Sequence, residues 1–518
     1  MIFGEEAFSM SKRNKFTGRF FALMLTVMIA VSCVVSTGVF TTSAYSSDKV
    51  GQIVYNKTIH DKYKGIDSVV CEGFKNFDEK IDVSDFNITR SDAAEIFKVM
   101  TLTHPEFFYV KTGFSYTYDA ANDKVIRFFP EYTCDSSQYQ SMKKAVDNET
   151  ERILSLVNDS MTDAEKALVI HDELTILGRY STDDHSKADI YDLLVDGTSV
   201  CQGYALAYSY LLSLAGIDSE IVVSVDMNHM WNKVHIGNAW YNVDVTWDDP
   251  LYDRPGHAQH TYFLLSDNAI QNLPSKHYNY TTINKATSTK YDNSKIHTFD
   301  TRLCEINGDF YGIINDYGLA DAKTMVKYDL ESNKSESVKK ISAEWSAGQG
   351  YYWQNSFMSL EKYNDMLYYN TDKSVYSYNV RTGKTETIVQ KISGTSDSTL
   401  VACYGIVLKG DGLCVALSDS PNKNATMQFL KRIDRGNNLI GTTNYIMANS
   451  LGATQKILYG DANCDGIINV SDATAVQKAV VGVLTQSDAE FISSDVNSDS
   501  SISVTDATIM QKYIVGIV

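Results

Sequence analysis

The chain has 518 residues, of which 44% are hydrophobic and only six are prolines, so several globular domains without a long proline-rich linker are expected. Its formal net charge of −18 argues against nucleic acid as the main partner and suits a protein that binds cations. Its eight cysteines are scattered and include no CxxC pair, which argues against a disulfide scaffold.

The first predicted element is a targeting segment over residues 1–44. A basic stretch, MSKRNKFTGR, precedes the uncharged run FFALMLTVMIAVSCVVSTGVF, and Thr42 and Ala44 offer a small-residue cleavage site. This layout favours cleavage, and we expect a secreted, extracellular protein. The uncharged run also reaches the roughly 20 residues that span a bilayer, so an uncleaved membrane anchor is the alternative.

Residues 45–150 combine helix and strand patterns. SDAAEIFKVMTLTHPEFFYV predicts a capped helix that ends near Pro105, and FSYTYDAANDKVIRFFP predicts a β-hairpin. Residues 151–300 follow with helix, loop, helix and strands, a pattern that indicates a second α+β unit.

Cys201 lies where the turn of GTSVCQGYALAYSYLLSLAGI ends and a helix is predicted to begin. Helix N-termini and neighbouring imidazolium groups favour the thiolate form of a cysteine, which makes this residue a candidate nucleophile. The alternative is a buried, inert thiol. The helix is expected to bury one stripe, made of Tyr204, Tyr208, Leu211, Leu212 and Ala215.

A histidine partner is expected in NHMWNKVHIGNAWYNVDVTWDDP, which predicts two strands around a turn at Gly237-Asn238. This register makes His229 and Asp244 diagonal neighbours, within reach of a hydrogen bond. His235 would pair with Trp240, roughly 13 Å of strand away from the level of Asp244. His229 is therefore the better partner for Cys201.

These two segments resemble the core of the bacterial transglutaminase-like superfamily. In that family a Cys opens a helix, a His begins an H-x-W-N strand, and an Asp lies in W-Y-x-V-D-x-T-W-D. The resemblance spans roughly residues 150–270 and implies an α+β, papain-like core with Cys201, His229 and Asp244 as a catalytic triad. Met230 departs from the Ala common in the family, and its side chain is expected to face away from the site.

The resemblance also implies a reaction on the amide bonds of a protein or peptide. A thioacyl-enzyme that reacts with water gives proteolysis or deamidation, and one that reacts with an amine gives crosslinking. The superfamily's secreted bacterial members favour hydrolysis.

Residues 301–450 contain three recurrent units with a turn, a Tyr-rich strand and a second strand. They are INGDFYGII…MVKYDLESNK, YNDMLYYNTDKSVYSYNVRTGK and GDGLCVALSDS…MQFLKRIDRGN. Their recurrent order of turns and strands resembles blades of a β-propeller, so an all-β repeat module is expected. Strand propensity favours tyrosines that fill strand faces over tyrosines that bind sugar rings.

Residues 457–518 contain a duplicated acidic loop followed by a helix: GDANCDGIINVSDATAVQKAVVG returns as SDVNSDSSISVTDATIMQKYIVG. Oxygen ligands at alternating loop positions fit Ca²⁺, and two ions are predicted. The first set is Asp461, Asn463, Asp465, Ile467 through its carbonyl, Asn469 and Asp472. The second set is Asp495, Asn497, Asp499, Ser501 through its carbonyl, Ser503 and Asp506. No helix is predicted to lead into either loop.

This tail resembles a type I dockerin, a small calcium-binding α module that docks cellulosomal proteins onto cohesins of a scaffold protein. The resemblance implies a type I cohesin as partner and two near-equivalent contact sets, which would permit two binding orientations. The contact residues are Val470, Ser471, Gln477 and Lys478 in the first set and Val504, Thr505, Gln511 and Lys512 in the second.

The favoured hypothesis is a secreted, cellulosome-associated cysteine peptidase or amidase. The alternative is a non-catalytic protein- or carbohydrate-binding component of the cellulosome that takes part in polysaccharide breakdown. A polysaccharide hydrolase ranks last, because no carboxylate pair lies in a recognisable glycosidase setting.

Overall fold

The computed structural model describes residues 49–249, 251–315, 322–353, 355–409, 412–433, 440, 443–447, 454–497 and 501–517. The targeting segment predicted over residues 1–44 and the predicted ligand Asp499 lie outside these ranges. Within them, no helix has both the length and the apolar composition to cross a membrane. All seven cysteines in the described ranges are free thiols.

The first region is α+β, with elements in the order β1 (Ile53–Val54), α1 (Lys57–Lys62), α2 (Ile66–Lys75), β2 (Ile81–Asp82), α3 (Arg90–Thr103), β3 (Val110–Asp119), β4 (Lys124–Tyr132) and α4 (Ser136–Leu154). The predicted helix is α3, which ends two residues before Pro105. The predicted hairpin is the antiparallel pair β3–β4. Both local predictions are confirmed.

The second region contains α5 (Asp163–Leu177), α6 (Ile190–Leu194), α7 (Cys201–Leu214), β5 (Ser219–Ser224), β6 (His229–Ile236), β7 (Ala239–Val243), α8 (Val245–Asp248) and α9 (Asp267–Ile270). Its sheet has the order β1-β5-β6-β7, so a strand of the first region joins in parallel to β5. One cluster of buried side chains includes residues from Tyr63 to Leu330. The two regions therefore share a hydrophobic core, and a domain boundary near residue 150 stays a prediction.

Helix α7 begins at Cys201, as predicted, with Val200 at the capping position. The predicted buried stripe is too narrow, because every residue from Gly203 to Ser213 is buried. The helix packs against α5, α6, β5 and β6, so all its faces are covered. Cys201 is the first residue of this enclosed helix and is itself half-buried.

The hairpin register around Gly237 is confirmed as far as the pair formed by Asn232 and Val243. The prediction that the second strand continues through Asp244 is wrong. Asp244 instead caps α8, where its Oδ1 accepts a hydrogen bond of 3.1 Å from the backbone N–H of Trp247. Because the backbone turns into α8 at Val245, the strand ladder ends at Val243.

The third region is all-β, with strands β8 (Cys304–Ile306), β9 (Asp309–Asn315), β10 (Ala322–Asp329), β11 (Lys334–Ser342), β12 (Ser346–Gly348), β13 (Tyr351–Tyr352), β14 (Leu360–Tyr363), β15 (Met366–Asn370), β16 (Val375–Asn379), β17 (Thr385–Val389), β18 (Ala402–Lys409), β19 (Gly412–Ser418), β20 (Thr426–Arg432), β21 (Thr443–Met447) and β22 (Thr454–Leu458). The three recurrent units lie in three separate antiparallel sheets, β8–β11, β14–β17 and β18–β20. These sheets do not join into a closed ring in the described residues, so the propeller expectation is not met. We call residues 301–433 the β module.

The last region consists of α10 (Val470–Val480), α11 (Asp488–Ser494) and α12 (Val504–Ile514). Helices α10 and α12 pack together around Val476, Ala507 and Met510. The expectation that neither loop has an entering helix is wrong for the second loop, because α11 ends directly before Asp495. The first loop instead follows strand β22.

Gly203 provides a test of how tightly the Cys201 helix is seated. A Cβ at this position would clash with Ser199 Oγ and lie 2.8 Å from Asp189 O. We expect Gly203→Ala to lower the free energy of unfolding by about 1–3 kcal/mol through overpacking. Gly113→Ala is the control, because nothing lies within 4 Å of its added Cβ, and it should change stability by less than about 0.5 kcal/mol. Equal calorimetric unfolding profiles for the two variants would contradict this packing.

Candidate active site and calcium-binding repeat

The structure brings the three predicted residues Cys201, His229 and Asp244 together. His229 Nε2 lies 2.6 Å from Asp244 Oδ2, and Cys201 lies close enough to the imidazole for its thiol to influence the pKa of the ring. Burial alone would lower the pKa of His229, but the Asp244 carboxylate and the Cys201 thiol raise it to about 10. With Nε2 held by Asp244, Nδ1 is the ring nitrogen left to exchange a proton with the thiol.

Asp244 has a second histidine partner, His277, which the sequence analysis missed. His277 Nε2 lies 2.7 Å from Asp244 Oδ2, the same oxygen that accepts from His229. Both His277 and Asp244 are fully buried. Burial opposes ionisation of Asp244, yet the two imidazoles outweigh it and hold the pKa of that carboxyl well below its usual range. Together with Trp247 N–H, they give the carboxylate three donors.

Aromatic rings fix the orientation of both imidazoles. His229 stacks on Trp247, with ring centroids 5.0 Å apart, and His277 contacts Trp231, Trp247 and Tyr262 at 4.3–5.4 Å. His277 Nδ1 is buried and has no hydrogen-bond partner. Since a carboxylate oxygen accepts, the contact between His277 and Asp244 makes Nε2 the donor.

Asn232 holds the histidine strand against the cysteine helix. Its side-chain amide donates to Ala205 O and to Ser209 Oγ, each at 2.9 Å, and both acceptors belong to α7. Asn232 is buried and lies three residues after His229 on β6. The Asn of the H-x-W-N pattern therefore sets the distance between the two elements that carry Cys201 and His229.

A second buried histidine–aspartate network lies on α5 and α8. His171 contacts Asp172 Oδ1 at 2.9 Å and Asp248 Oδ2 at 3.1 Å, while His260 contacts Asp172 Oδ1 at 2.8 Å and Phe299 O at 3.1 Å. Each of these four contacts needs one hydrogen. With one hydrogen in each of these four contacts, the two histidines and two aspartates together have a net charge of zero. This explains how they tolerate full burial.

Two groups have donor atoms close enough together to be considered as metal ligands, His171/Asp172/His260 and His229/Asp244/His277. Their nitrogen–oxygen distances of 2.6–2.9 Å are those of hydrogen bonds. Hydrogen bonds already engage every ring nitrogen of the first group. In the second group His277 Nδ1 is the exception, and it points among aromatic rings. Both groups are therefore hydrogen-bond networks.

A pocket of about 460 Å³ opens beside the candidate triad. His229 contributes to its wall, together with Tyr180, Thr246, Trp247, Asp249, Leu251, Arg254 and Gln259. The Cys201 thiol and Asp244 add to burial in raising the pKa of Tyr180, which places this ring in the field of the candidate nucleophile. A substrate in the pocket would thus lie against His229 and Tyr180.

The first predicted calcium loop brings buried carboxylate groups close together. Asp461 and Asp472 are buried, and neither forms an ion pair with a Lys or Arg among the described residues. Burial raises the pKa of Asp461, and the charges of Asp472 and Asp465 raise it further. Such a set of oxygens fits a hard dication. Gly466, with φ of 90°, supplies the left-handed turn at its middle.

The two predicted calcium loops have the same pattern of hydrogen bonds, in which one aspartate accepts from two backbone N–H groups. Asp472 accepts from Asn463 N at 3.2 Å and from Asn469 N at 2.8 Å. In the second loop, Asp506 accepts from the equivalent Asn497 N at 3.4 Å and Ser503 N at 3.0 Å. The predicted cohesin contacts are all exposed, namely Val470, Ser471, Gln477, Lys478, Val504, Thr505, Gln511 and Lys512.

Comparison with protein families agrees with both resemblances. Residues 151–245 match the sequence profile of the transglutaminase-like superfamily, a range that includes Cys201, His229 and Asp244. Residues 459–515 match the profile of the dockerin type I domain. The two family resemblances expected from the sequence are thereby confirmed. Type I dockerins are calcium-binding domains that dock onto cohesins, and the matched residues include both predicted calcium loops.

Solved structures similar to this chain include a candidate cysteine protease from Cytophaga hutchinsonii. The match has 13% sequence identity and a TM-score of 0.17, and it covers 26% of this chain and 61% of that chain. No curated protein matches the chain.

His277 is expected to act by holding Asp244 in place. His277→Phe keeps a ring but removes the donor, and we expect it to slow alkylation of Cys201 by iodoacetamide about tenfold, because a hydrogen bond to a charged group contributes about 1.5–3 kcal/mol. His277→Gln retains an N–H donor and should recover most of that rate. Equal rates in the two variants would show that the hydrogen bond to Asp244 is not what matters.

Proposed function

We propose that this chain is a secreted cysteine peptidase or amidase that docks onto a cellulosomal scaffold. One observation carries the proposal: a half-buried cysteine at a helix start faces a buried histidine whose other nitrogen is hydrogen-bonded to a buried carboxylate. A cysteine nucleophile activated in this way attacks acyl carbons. The match to the transglutaminase-like profile over these residues supports the assignment.

The reaction would proceed in two acyl transfers. The Cys201 thiolate forms a bond to the amide carbonyl carbon, and the His229 imidazolium, which already holds the thiol's proton, gives a proton to the departing amine as the C–N bond breaks. His229 then accepts a proton from water, whose oxygen attacks the thioacyl carbon and releases the acid and the thiol. Asp244 keeps the imidazole oriented and stabilises its positive charge throughout.

Docking would rest on the C-terminal repeat. We infer two calcium ions, one in each loop, with Asp461, Asn463, Asp465, Asn469 and Asp472 and the Ile467 carbonyl around the first. The second would use Asp495, Asn497, Asp499, Ser503 and Asp506 with the Ser501 carbonyl. The ordered loops would present the exposed contact residues of α10 and α12 to a type I cohesin. An extracellular location follows from this partner.

Thiol labelling tests the catalytic proposal. We expect a fluorescent iodoacetamide to label Cys201, with His229→Ala slowing the reaction by about 100-fold or more and Asp244→Ala by about tenfold. His235→Ala should have little effect, because His235 instead stacks on Trp240 with centroids 5.0 Å apart. The exposed Cys464 provides an internal reference thiol. Near-normal labelling in His229→Ala would refute the triad, and an unreactive Cys201 would favour the non-catalytic alternative.

Calcium should control the fold of the docking module. Asp461→Ala and Asp495→Ala should each remove one of two ions in a calorimetric titration. Calcium at 100 times its dissociation constant should stabilise the module by about 2.7 kcal/mol per site. Folding of this region that is insensitive to a chelator would contradict the assignment.

The two contact sets are expected to substitute for each other in cohesin binding. Substitution of both Val470 and Ser471 by Asp should leave binding through Val504 and Thr505, whereas the same change in both pairs should abolish it. Titration of type I cohesins in calcium checks this. Complete loss of binding after damage to one pair would overturn the two-orientation account.

A further inference from the structure

The β module reaches the wall of the candidate active-site pocket. We call residues 251–256 the pocket loop, since Leu251 and Arg254 line the pocket. Asp253 N donates to Asn424 Oδ1 at 3.1 Å, and Arg254 Nη2 donates to Pro421 O at 3.3 Å. Both acceptors belong to the β module, more than 160 residues further along the chain.

The contact continues at the end of the pocket loop, where two backbones meet without room for a side chain. Ser359 Oγ donates to Pro255 O at 3.2 Å and accepts from Ile406 N at 3.1 Å. A Cβ on Gly256 would clash with Ile406 O, and one on Gly405 would clash with Pro255 O. This approach defines where the pocket loop lies relative to the module.

Arg254 is the charged group that this arrangement places in the pocket. Its guanidinium lies over the ring of Phe357, 5.1 Å from the centroid, and Phe357 is buried in the β module. No carboxylate forms an ion pair with Arg254 among the described residues, and its Nε is buried without a partner. Burial lowers the pKa of Arg254, with Asp300 opposing that effect from a distance.

The other carboxyl group in the pocket wall does not cancel this charge. Asp249 is buried and accepts a short hydrogen bond from the Tyr204 hydroxyl. Burial, opposed by the Tyr204 hydrogen bond and reinforced by the charge of Asp253, raises the pKa of Asp249 well above its ordinary value, and Asp249 bonds to Tyr204 without forming an ion pair with Arg254 among the described residues. Arg254 and His229 are then the cationic groups of the pocket wall.

We propose that the β module is part of the substrate-binding site and that it holds Arg254 in place to bind a carboxylate of the substrate beside the scissile amide. The substrate class is therefore an acidic peptide, or a peptide with a free carboxylate near the bond attacked. This proposal rests on the proposed function of Cys201. A planar guanidinium without an acidic partner, held over a ring and beside the catalytic histidine, matches a carboxylate in charge and geometry.

Two alkylating reagents of the same size test the charge. Iodoacetate carries a carboxylate and iodoacetamide a neutral amide, so the ratio of their rate constants at Cys201 reports the cation near the thiol. General changes of thiol reactivity cancel in this ratio. In the full-length protein we expect Arg254→Gln to lower the ratio by about fivefold, because it removes a unit positive charge from the wall of the pocket that the reagent enters. Arg254→Lys should retain most of it.

Matched variants separate the parts of the claim. Arg381→Gln removes an exposed arginine of the β module, paired with Asp365, and should leave the ratio unchanged. Asn424→Ala and Phe357→Leu remove contacts that hold the pocket loop and Arg254, and should lower the ratio toward that of Arg254→Gln.

Each outcome is decisive. A Cys201 that reacts with neither reagent refutes the proposed function itself. A reactive Cys201 whose ratio is the same in Arg254→Gln refutes carboxylate binding alone. A ratio that falls in Arg254→Gln but not in Asn424→Ala or Phe357→Leu refutes the role of the module.

Discussion

The hydrogen bonds to the buried Asp244 carboxylate are the interaction on which the rest of the site depends. A fully buried carboxylate is costly unless several donors meet it, and Asp244 receives His229, His277 and the backbone of Trp247. The same negative charge raises the pKa of His229 to about 10. One residue thus begins helix α8, orients two imidazoles and keeps a proton beside Cys201.

Two other groups of buried polar side chains in the core are also paired. The His171 network is neutral as a group, and Arg302 pairs with Glu173 of α5 and, at 2.9 Å, with Glu361 of the β module. The Arg302–Glu173 pair joins the β module to the core, because its separation would leave a buried charge in apolar surroundings. The pocket loop, held at Asn424 and Ser359, therefore has a rigid support.

Local patterns predicted those parts of the site that depend on neighbouring residues in the chain. The turn residues before Cys201 and at Gly237 predicted the start of α7 and the hairpin register, although Val200 at the capping position makes no side-chain cap bond, and ligand spacing predicted the duplicated acidic loop. His277 lies in a loop without periodicity, and its role arises only when the fold carries it 33 residues back to Asp244. Its one sequence signal was a further histidine downstream of the T-W-D segment.

Long-range packing explains the predictions that failed. Asp244 ends a strand because α8 needs a cap, and α7 is covered on every side because α5, α6 and the sheet enclose it. Closure of blades into a ring depends on contacts between units, which the repeat pattern does not specify. The contact between the β module and the pocket loop likewise depends on residues separated by more than 100 positions, such as Pro255 and Ser359.

The central claim is that Asp244 keeps His229 charged beside Cys201, and an NMR titration of the His229 imidazole tests it most directly. With ¹³C-labelled histidine and His229→Gln for assignment, the resonance should titrate near pH 10 in the unmodified chain. In Asp244→Asn the midpoint of the titration should fall by several pH units, because burial still lowers the pKa of His229 and the charge of Asp244 no longer opposes it. A His229 that titrates near the ordinary value of about 6.5 in the unmodified chain would contradict the account.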